Sequence, residues 1–277
     1  MKTWFITGAS RGLGLEIARA ALGNGDQVAA TARNPAQVAE ALDGYGERLF
    51  PVRLDVTDIA AVQAAVSEAV ERFGRIDVLV NNAGYGQLGA FEETSDEAIR
   101  RQFATNVFGV FSVTRQILPI MRGQRSGHVI TISSMAGLVA FDGSSIYSAT
   151  KFALEGWSES LHLELQRFGI KATVVEPGYF RTDFLDPRSV RHGDIVIDDY
   201  ESAAALKKQS ISERNHRQAG DPAKLGDAIV ALAATEVPPV RFAAGTDAYA
   251  AVNKKADSLR AEADLWRFLS VSTDFEA

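Results

Sequence analysis

Six short apolar runs recur along this chain: TWFIT (3–7), QVAATA (27–32), LFPVRL (49–54), IDVLVN (76–81), HVITIS (128–133) and KATVVE (171–176). Strands that are apolar along nearly their whole length, rather than on alternate residues, need cover on both faces. Helical stretches at 13–23, 58–73, 96–122 and 148–168 supply that cover. The alternation predicts βαβ units and a parallel α/β sheet with helices on both sides. A further helix from 221, a short strand near VRFAAG (240–245) and a helical segment over 247–269 complete the chain. No repeat, low-complexity run or Pro/Gly-rich linker divides it, so residues 1–277 are read as one domain.

Composition removes several function classes. The formal charge of −6 gives no basic face for nucleic acid or an anionic membrane. The absence of cysteine excludes disulfides, thiolate catalysis and thiolate zinc sites. The four histidines are scattered, none in an H-x-x-x-H pair, so no metal is expected. MKTWFITGAS carries no signal-peptide core, and no run reaches membrane-spanning length. A cytoplasmic location is expected.

The first apolar run leads into TGASRGLG, which sets Gly8, Gly12 and Gly14 between a strand and a helix, with Ser10, Arg11 and Leu13 among them. Glycines at such a junction permit a tight turn and let the backbone approach a pyrophosphate at the helix N-terminus. The spacing G-x3-G-x-G differs from the general dinucleotide fingerprint; its place after the first strand is what marks a nucleotide loop. Ligands of doubly wound sheets bind beyond the carboxyl ends of the strands. There the sequence puts Asp55 and Val56 after the third strand, and Asn82, Ala83 and Gly84 of LVNNAG after the fourth. Asp55 is placed to reach an adenine amino group or to cap the next helix, and Asp58 is an equally good cap. LVNNAG also reads as a plain turn rich in Asn and Gly. The second strand ends AATARNP, with Ala32 where an NAD-preferring site carries an acid and Arg33 directly after it. Arg33 and Arg11 are suited to an adenosine 2′-phosphate, which favours NADP(H).

Midway along the chain stands SSIYSATKFA (144–153). Residues four apart on a helix share a face, so Tyr147 and Lys151 point the same way, among small neighbours that leave room for a reactant. A lysine ammonium about 4 Å away, at an effective dielectric of about 20, favours phenolate by up to about 4 kcal/mol. That would bring Tyr147 from its ordinary value towards neutrality, where acid–base catalysis works best. Upstream, TISSMAG offers Ser133 and Ser134, either able to donate to a carbonyl oxygen. Asn106, in FATNVFG, is a poor helix former placed inside an apolar helix.

Taken in order, TGASRGLG, NNAG, TISSMAG, YSATK and EPGYFRT resemble the short-chain dehydrogenase/reductase family from residue 2 to about 182. The resemblance implies a Rossmann-type sheet of strand order 3-2-1-4-5-6-7. It selects Ser134 over Ser133, and makes Tyr147 the acid/base and Lys151 both its tuner and a holder of the nicotinamide ribose. It places at Asn106 a water that relays protons to the lysine, with a buried amide crosslink as the structural alternative. Pro177, Gly178, Phe180 and Thr182 fall beside the nicotinamide carboxamide. The implied activity is NADP(H)-dependent hydride transfer to or from a small-molecule ketone or alcohol, of carbonyl-reductase type. A 3-oxoacyl-carrier-protein reductase shares the same set, but such chains usually close with Val-Asp-Gly-Gly near a short C-terminus. This one has PPVRFAAGTDA and a tail ending DLWRFLSVSTDFEA. A non-catalytic NADP(H)-sensing protein would be marked by loss of the tyrosine or lysine, and both are intact.

Residues 183–220 are polar, charged and without evident periodicity, read as a mobile lid over the substrate or as a solvated insertion. Relatives in the family pair their counterparts of 96–122 and 148–168 into a four-helix bundle, implying a homodimer or homotetramer. Phe108, Phe111, Trp157 and Leu161 supply apolar surface for that contact or for the chain's own core.

Overall fold

Every side chain of β1 (Thr3–Ile6) and of β4 (Val78–Asn81) is buried, as strands covered on both faces must be. They lie at the centre of a parallel sheet of seven strands in the computed structural model, which describes residues 1–186 and 189–275. The others are β2 (Gln27–Ala32), β3 (Leu49–Arg53), β6 (Gly127–Ile132), β7 (Ile170–Pro177) and β9 (Arg241–Ala244), in the order β3-β2-β1-β4-β6-β7-β9. Two short strands, β5 (Gly86–Leu88) and β8 (Val190–His192), form a separate parallel pair. With that pair left out of the count, the order is the expected one.

Helices cover both faces. On one side α1 (Gly12–Gly23) and α8 (Pro222–Ala234) bury Ile17, Leu22, Leu225 and Ile229 against the sheet. On the other, α3 (Ile59–Phe73), α5 (Gly109–Gln124) and α6 (Ser145–Leu165) bury Val62, Val66, Val113, Ile117 and Leu161. A short α2 (Pro35–Ala41), with Pro35 in its first turn and Asn34 as its cap, was not anticipated from the sequence. Seven residues carry too little periodicity to announce themselves.

Three expectations need correction. The helix expected over 96–122 is α4 (Asp96–Phe103) joined to α5 by a π-helical turn, Ala104–Phe108. The wider turn lets Asn106 point inward, at 1% exposure. Within the irregular stretch 183–220 lies a helix of 14 residues, α7 (Glu201–Arg214). It buries no residue, so it has no apolar stripe for a sequence reading to detect. Residues 187 and 188 of that stretch lie outside the described residues. Finally, Leu161 belongs to the chain's own core and Phe111 packs on Trp157 at 5.0 Å between ring centres; of the four, only Phe108 is largely exposed, at 58%.

The chain ends in α9 (Thr246–Leu265) and α10 (Arg267–Val271), from which Trp266, Phe268 and Leu269 project into solvent. No helix among the described residues is long and apolar enough to cross a membrane.

Candidate active site

A cleft of about 880 Å³ runs along the carboxyl ends of the strands. Its first wall is the turn between β1 and α1, where Gly8, Ser10, Arg11, Gly12 and Leu13 all line the opening. Gly8 and Gly12 have φ of +68° and +58°, a region closed to most side chains. Gly14 does not line the cleft; a Cβ there would sit 2.4 Å from Asn82 Nδ2 and 2.5 Å from the Gly8 carbonyl oxygen. Its place in the motif is set by packing.

Asn82 and Thr7 hold this turn in shape. Asn82 Nδ2 donates to the carbonyl oxygens of Thr7, at 2.9 Å, and Gly8, at 3.1 Å. Thr7 Oγ1 in return accepts from the backbone N–H of Asn82 and Ala83, at 2.9 and 3.0 Å. Sequence reasoning passed over Thr7, although a hydroxyl at the last position before a glycine turn was a usable signal. Ala83 and Gly84 border the same cleft.

The helix start itself is open. Arg11 occupies the N-cap of α1 and its side chain makes no capping hydrogen bond. In contrast, Asp58 caps α3 by accepting from the N–H groups of Ala60 and Ala61 at 2.9 and 3.1 Å. The first-turn amides of α1 therefore suit an anionic group. Ala32, Arg33, Asp55 and Val56 line this end too. Asp55 does not cap α3; its Oδ1 accepts from the Thr57 backbone N–H at 3.0 Å and from the Thr57 hydroxyl at 2.7 Å. Burial alone would raise its carboxyl, but those hydrogen bonds and the Arg33 charge hold it below the ordinary carboxylate range.

Ser134, Tyr147 and Lys151 meet in the middle of the cleft. Ser134 Oγ accepts from the Ala136 backbone N–H at 3.1 Å, and its hydroxyl is also the hydrogen-bonding group that favours an ionised Tyr147. Ser133, although it too borders the cleft, bears on Glu155. The two serines thus act on different neighbours within the same cleft. Because α6 starts at Ser145, Tyr147 lies in its first turn, with Lys151 one turn on.

The electrostatics differ from the sequence expectation. Burial pushes the Tyr147 phenol up to about 12, against Ser134 and with the help of Tyr179. Burial also lowers Lys151 to about 8, opposed by the charge of Glu155. The Lys151 ammonium donates to the Ile132 carbonyl oxygen at 2.9 Å and is not among the groups that move the phenol. Tyr147 thus keeps its proton through the neutral range, the state an acid requires.

Asn106 stands behind the cleft and does not line it. Its Nδ2 donates to the Tyr85 carbonyl oxygen at 3.0 Å and to Thr150 Oγ1 at 3.3 Å, and its Oδ1 accepts from the Tyr85 backbone N–H at 3.2 Å. These bonds join the π-helical turn to the loop at Tyr85 and to α6. Deeper still, Arg241 bridges two buried acids, pairing with Glu155 and with Glu176, the latter at 3.2 Å.

Pro177, Gly178, Phe180 and Thr182 line the cleft where β7 ends. Asp247 fixes their turn: its Oδ2 accepts from the Tyr179 backbone N–H at 2.8 Å, and a Cβ on Gly178 would lie 1.9 Å from its Oδ1. The sequence reading assigned Asp247 no part. Beyond the turn, the Arg181 backbone N–H donates to the Gly220 carbonyl oxygen at 2.8 Å, joining the two ends of the segment that follows β7. That segment brings the Phe184 ring to 5.8 Å from that of Tyr147. All the expected site residues except Gly14 and Asn106 therefore share one cavity.

Comparison with known proteins agrees with this arrangement. The family model for short chain dehydrogenase matches residues 2–192. Oxidoreductase BOA17 of Botryotinia fuckeliana (strain B05.10) is 41% identical over 273 residues, covering 98% of this chain and 99% of that protein. The crystal structure of a short-chain dehydrogenase from Streptomyces avermitilis superposes with a TM-score of 0.91 at 41% identity, covering 99% of this chain and 100% of the other. ElxO with NADP bound matches with a TM-score of 0.73 at 28% identity, over 87% of this chain and 95% of its own.

Proposed function

The chain belongs to the short-chain dehydrogenase family, and from that premise we propose that it is an NADP(H)-dependent oxidoreductase acting on a ketone or secondary alcohol, with Tyr147 as the acid/base. The observation that carries this reading is the placement of Tyr147, Ser134 and Lys151 in the one cavity that also holds the glycine turn and the open start of α1.

The residues fit a dinucleotide. The uncapped α1 amides suit its pyrophosphate, and Arg11 and Arg33, with no carboxylate at Ala32, suit a 2′-phosphate. ElxO, a structural neighbour, binds NADP. Bound there, the nicotinamide supplies the hydride. The chain's own residues do the rest. Ser134 donates to the substrate oxygen and orients it. Tyr147 delivers a proton to that oxygen as negative charge develops on it. Lys151, anchored on Ile132, adds positive charge to the same wall of the cleft. The Pro177–Gly178 turn, held by Asp247, closes the remaining side.

The test is NADPH oxidation, followed by absorbance, with a panel of activated ketones. Turnover that fails for every carbonyl despite tight NADPH binding would favour a nucleotide sensor. We further propose a homodimer or homotetramer pairing α5 and α6, in which Phe108 is the exposed anchor; a monomeric mass in light scattering at micromolar concentration would overturn it.

A further inference from the structure

The lid side of the cleft carries a charge opposite to that of the chain. The protein's formal charge is −6, yet the only carboxylates among the described residues lining the cavity are Asp55 and Asp183. Arg11 and Arg33 line the glycine-turn end, and three more cations, Arg191, Lys207 and Arg214, reach it from the lid. Arg191 is on β8; the other two are on α7.

Each of the three is anchored by something other than a carboxylate. The Arg191 guanidinium lies 5.6 Å from the centre of the Tyr85 ring, and that of Arg214 lies 4.2 Å from the centre of Tyr179. Lys207 Nζ donates to the Asp142 carbonyl oxygen at 2.7 Å. Among the described residues none of the three makes an ion pair. Stacking on a ring fixes a guanidinium while leaving its N–H edges free to grip an anion in two places. Cations that line one cavity without carboxylate partners leave its potential positive, which favours an entering anion. The surface between them is apolar, with Phe141, Phe184, Leu185 and Ile211.

Resting on the ketone-reductase reading above, we propose that the substrate is a ketone with an apolar body and an anionic group, carboxylate or phosphate. Its carbonyl lies at Tyr147, and its anion is held by Arg191, Lys207 and Arg214. A merely solvated lid would give the same residues no preference for charge.

The probes are phenylglyoxylate, its neutral methyl ester and phenacyl phosphate, each assayed with NADPH. The ester has the more electrophilic carbonyl, so a preference for the acid reports binding rather than intrinsic reactivity. We expect kcat/KM for an anionic ketone to exceed that for the ester by at least about tenfold at low ionic strength, narrowing as salt screens the rim. Whichever anion is preferred identifies a keto acid or a phosphate-bearing ketone. The triple variant Arg191→Gln, Lys207→Gln, Arg214→Gln should bring the ratio towards one, mainly by raising KM for the anion, while KM for NADPH stays within about twofold. An ester reduced as well as the anions, a ratio that survives the triple variant, or a rise in NADPH KM instead would overturn the proposal. If no ketone turns over, the reductase reading fails, and calorimetry with NADPH present still decides the anion site. Tighter binding of phenylglyoxylate than of its ester, lost in the triple variant, sustains it; equal binding overturns it.

Discussion

The Lys151 ammonium lies 5.7 Å from the centre of the Tyr147 ring, one helical turn along α6, and is tethered to the Ile132 carbonyl oxygen. The two side chains therefore occupy one wall of the cleft without a direct hydrogen bond between them. Removing only the phenol oxygen isolates its part. Tyr147→Phe should lower kcat by about 10²–10⁴-fold or more, because the proton-transfer step is lost while the ring still packs on Phe184. NADPH affinity, read by fluorescence titration, should change little. A variant keeping half the wild-type rate would show that the phenol is not the acid.

Cofactor choice is expected to follow charge at the end of β2. The wild-type enzyme should favour NADPH over NADH in kcat/KM by more than about tenfold, since even one charge-assisted hydrogen bond to a 2′-phosphate is worth about 1.5–3 kcal/mol. Replacing Ala32→Asp together with Arg33→Ser should reverse the order. Equal or better kcat/KM with NADH for the wild type, at physiological salt, would sink the assignment.

Thr7 should matter more than its size suggests. Thr7→Val keeps the shape but takes away the acceptor of two backbone N–H groups, those of Asn82 and Ala83. Leaving buried donors unpaired costs about 1–3 kcal/mol. Chemical denaturation should register a loss of that order, with weaker NADPH binding. An unchanged midpoint would mean that solvent takes over both bonds.

Acid stability should depend on His128. Its Nε2 is 2.9 Å from Thr173 Oγ1, whose own proton goes to the Pro239 carbonyl oxygen at 2.7 Å, so Nε2 is the donor. Nδ1 is buried with no acceptor for a second proton among the described residues, so the neutral ring is the fitted form. Burial, then the charges of Lys171 and Lys2, lowers its pKa from 6.5 to about 3. The unfolded chain binds this proton near its ordinary value and the native chain only at much lower pH. The stabilisation is therefore present in full above about pH 6.5 and is lost as pH falls towards about 3. His128→Gln retains a donor and does not titrate. Between about pH 6 and pH 4 the wild type should lose up to about 1.4 kcal/mol per pH unit more than the variant. Parallel declines in urea unfolding would assign the acid sensitivity elsewhere.

The lid is expected to govern which ketones are accepted. Exchanging residues 201–214 for the corresponding helix of a relative should alter the ranking of ketones by kcat/KM more than it alters NADPH affinity. A ranking that survives the exchange would make α7 a surface element only.

The sheet was legible because its strands are apolar runs, and burial on both faces leaves no other reading of VLVN between two helices. The cleft was legible where chemistry demands particular residue types at fixed places: glycines at the first turn, an absent acid at Ala32, a tyrosine and lysine one turn apart. What escaped was local geometry. Asp247 acts on Gly178 across 69 positions of sequence, and nothing in GTDA announces the contact. The helix α7 escaped because it buries nothing. Tyr147 escaped in its charge state, since a spacing fixes which face a residue shares but not how dry that face is.

The π-helical turn at Ala104–Phe108 makes chain length a constraint of its own. Each residue of an α-helix advances the chain by about 100°. Deleting one residue between 104 and 108 would rotate α4 against α5 by about that angle. It would carry Gln102, which donates to the Tyr85 carbonyl oxygen at 2.8 Å, away from the oxygen it shares with Asn106. Insertions and deletions should therefore be rejected between 96 and 124 even where substitutions on the outer face pass unnoticed. Along α7, where no side chain is buried, substitutions on the outer face should pass as freely, but an insertion between Lys207 and Arg214 would turn one of them away from the cleft that both line.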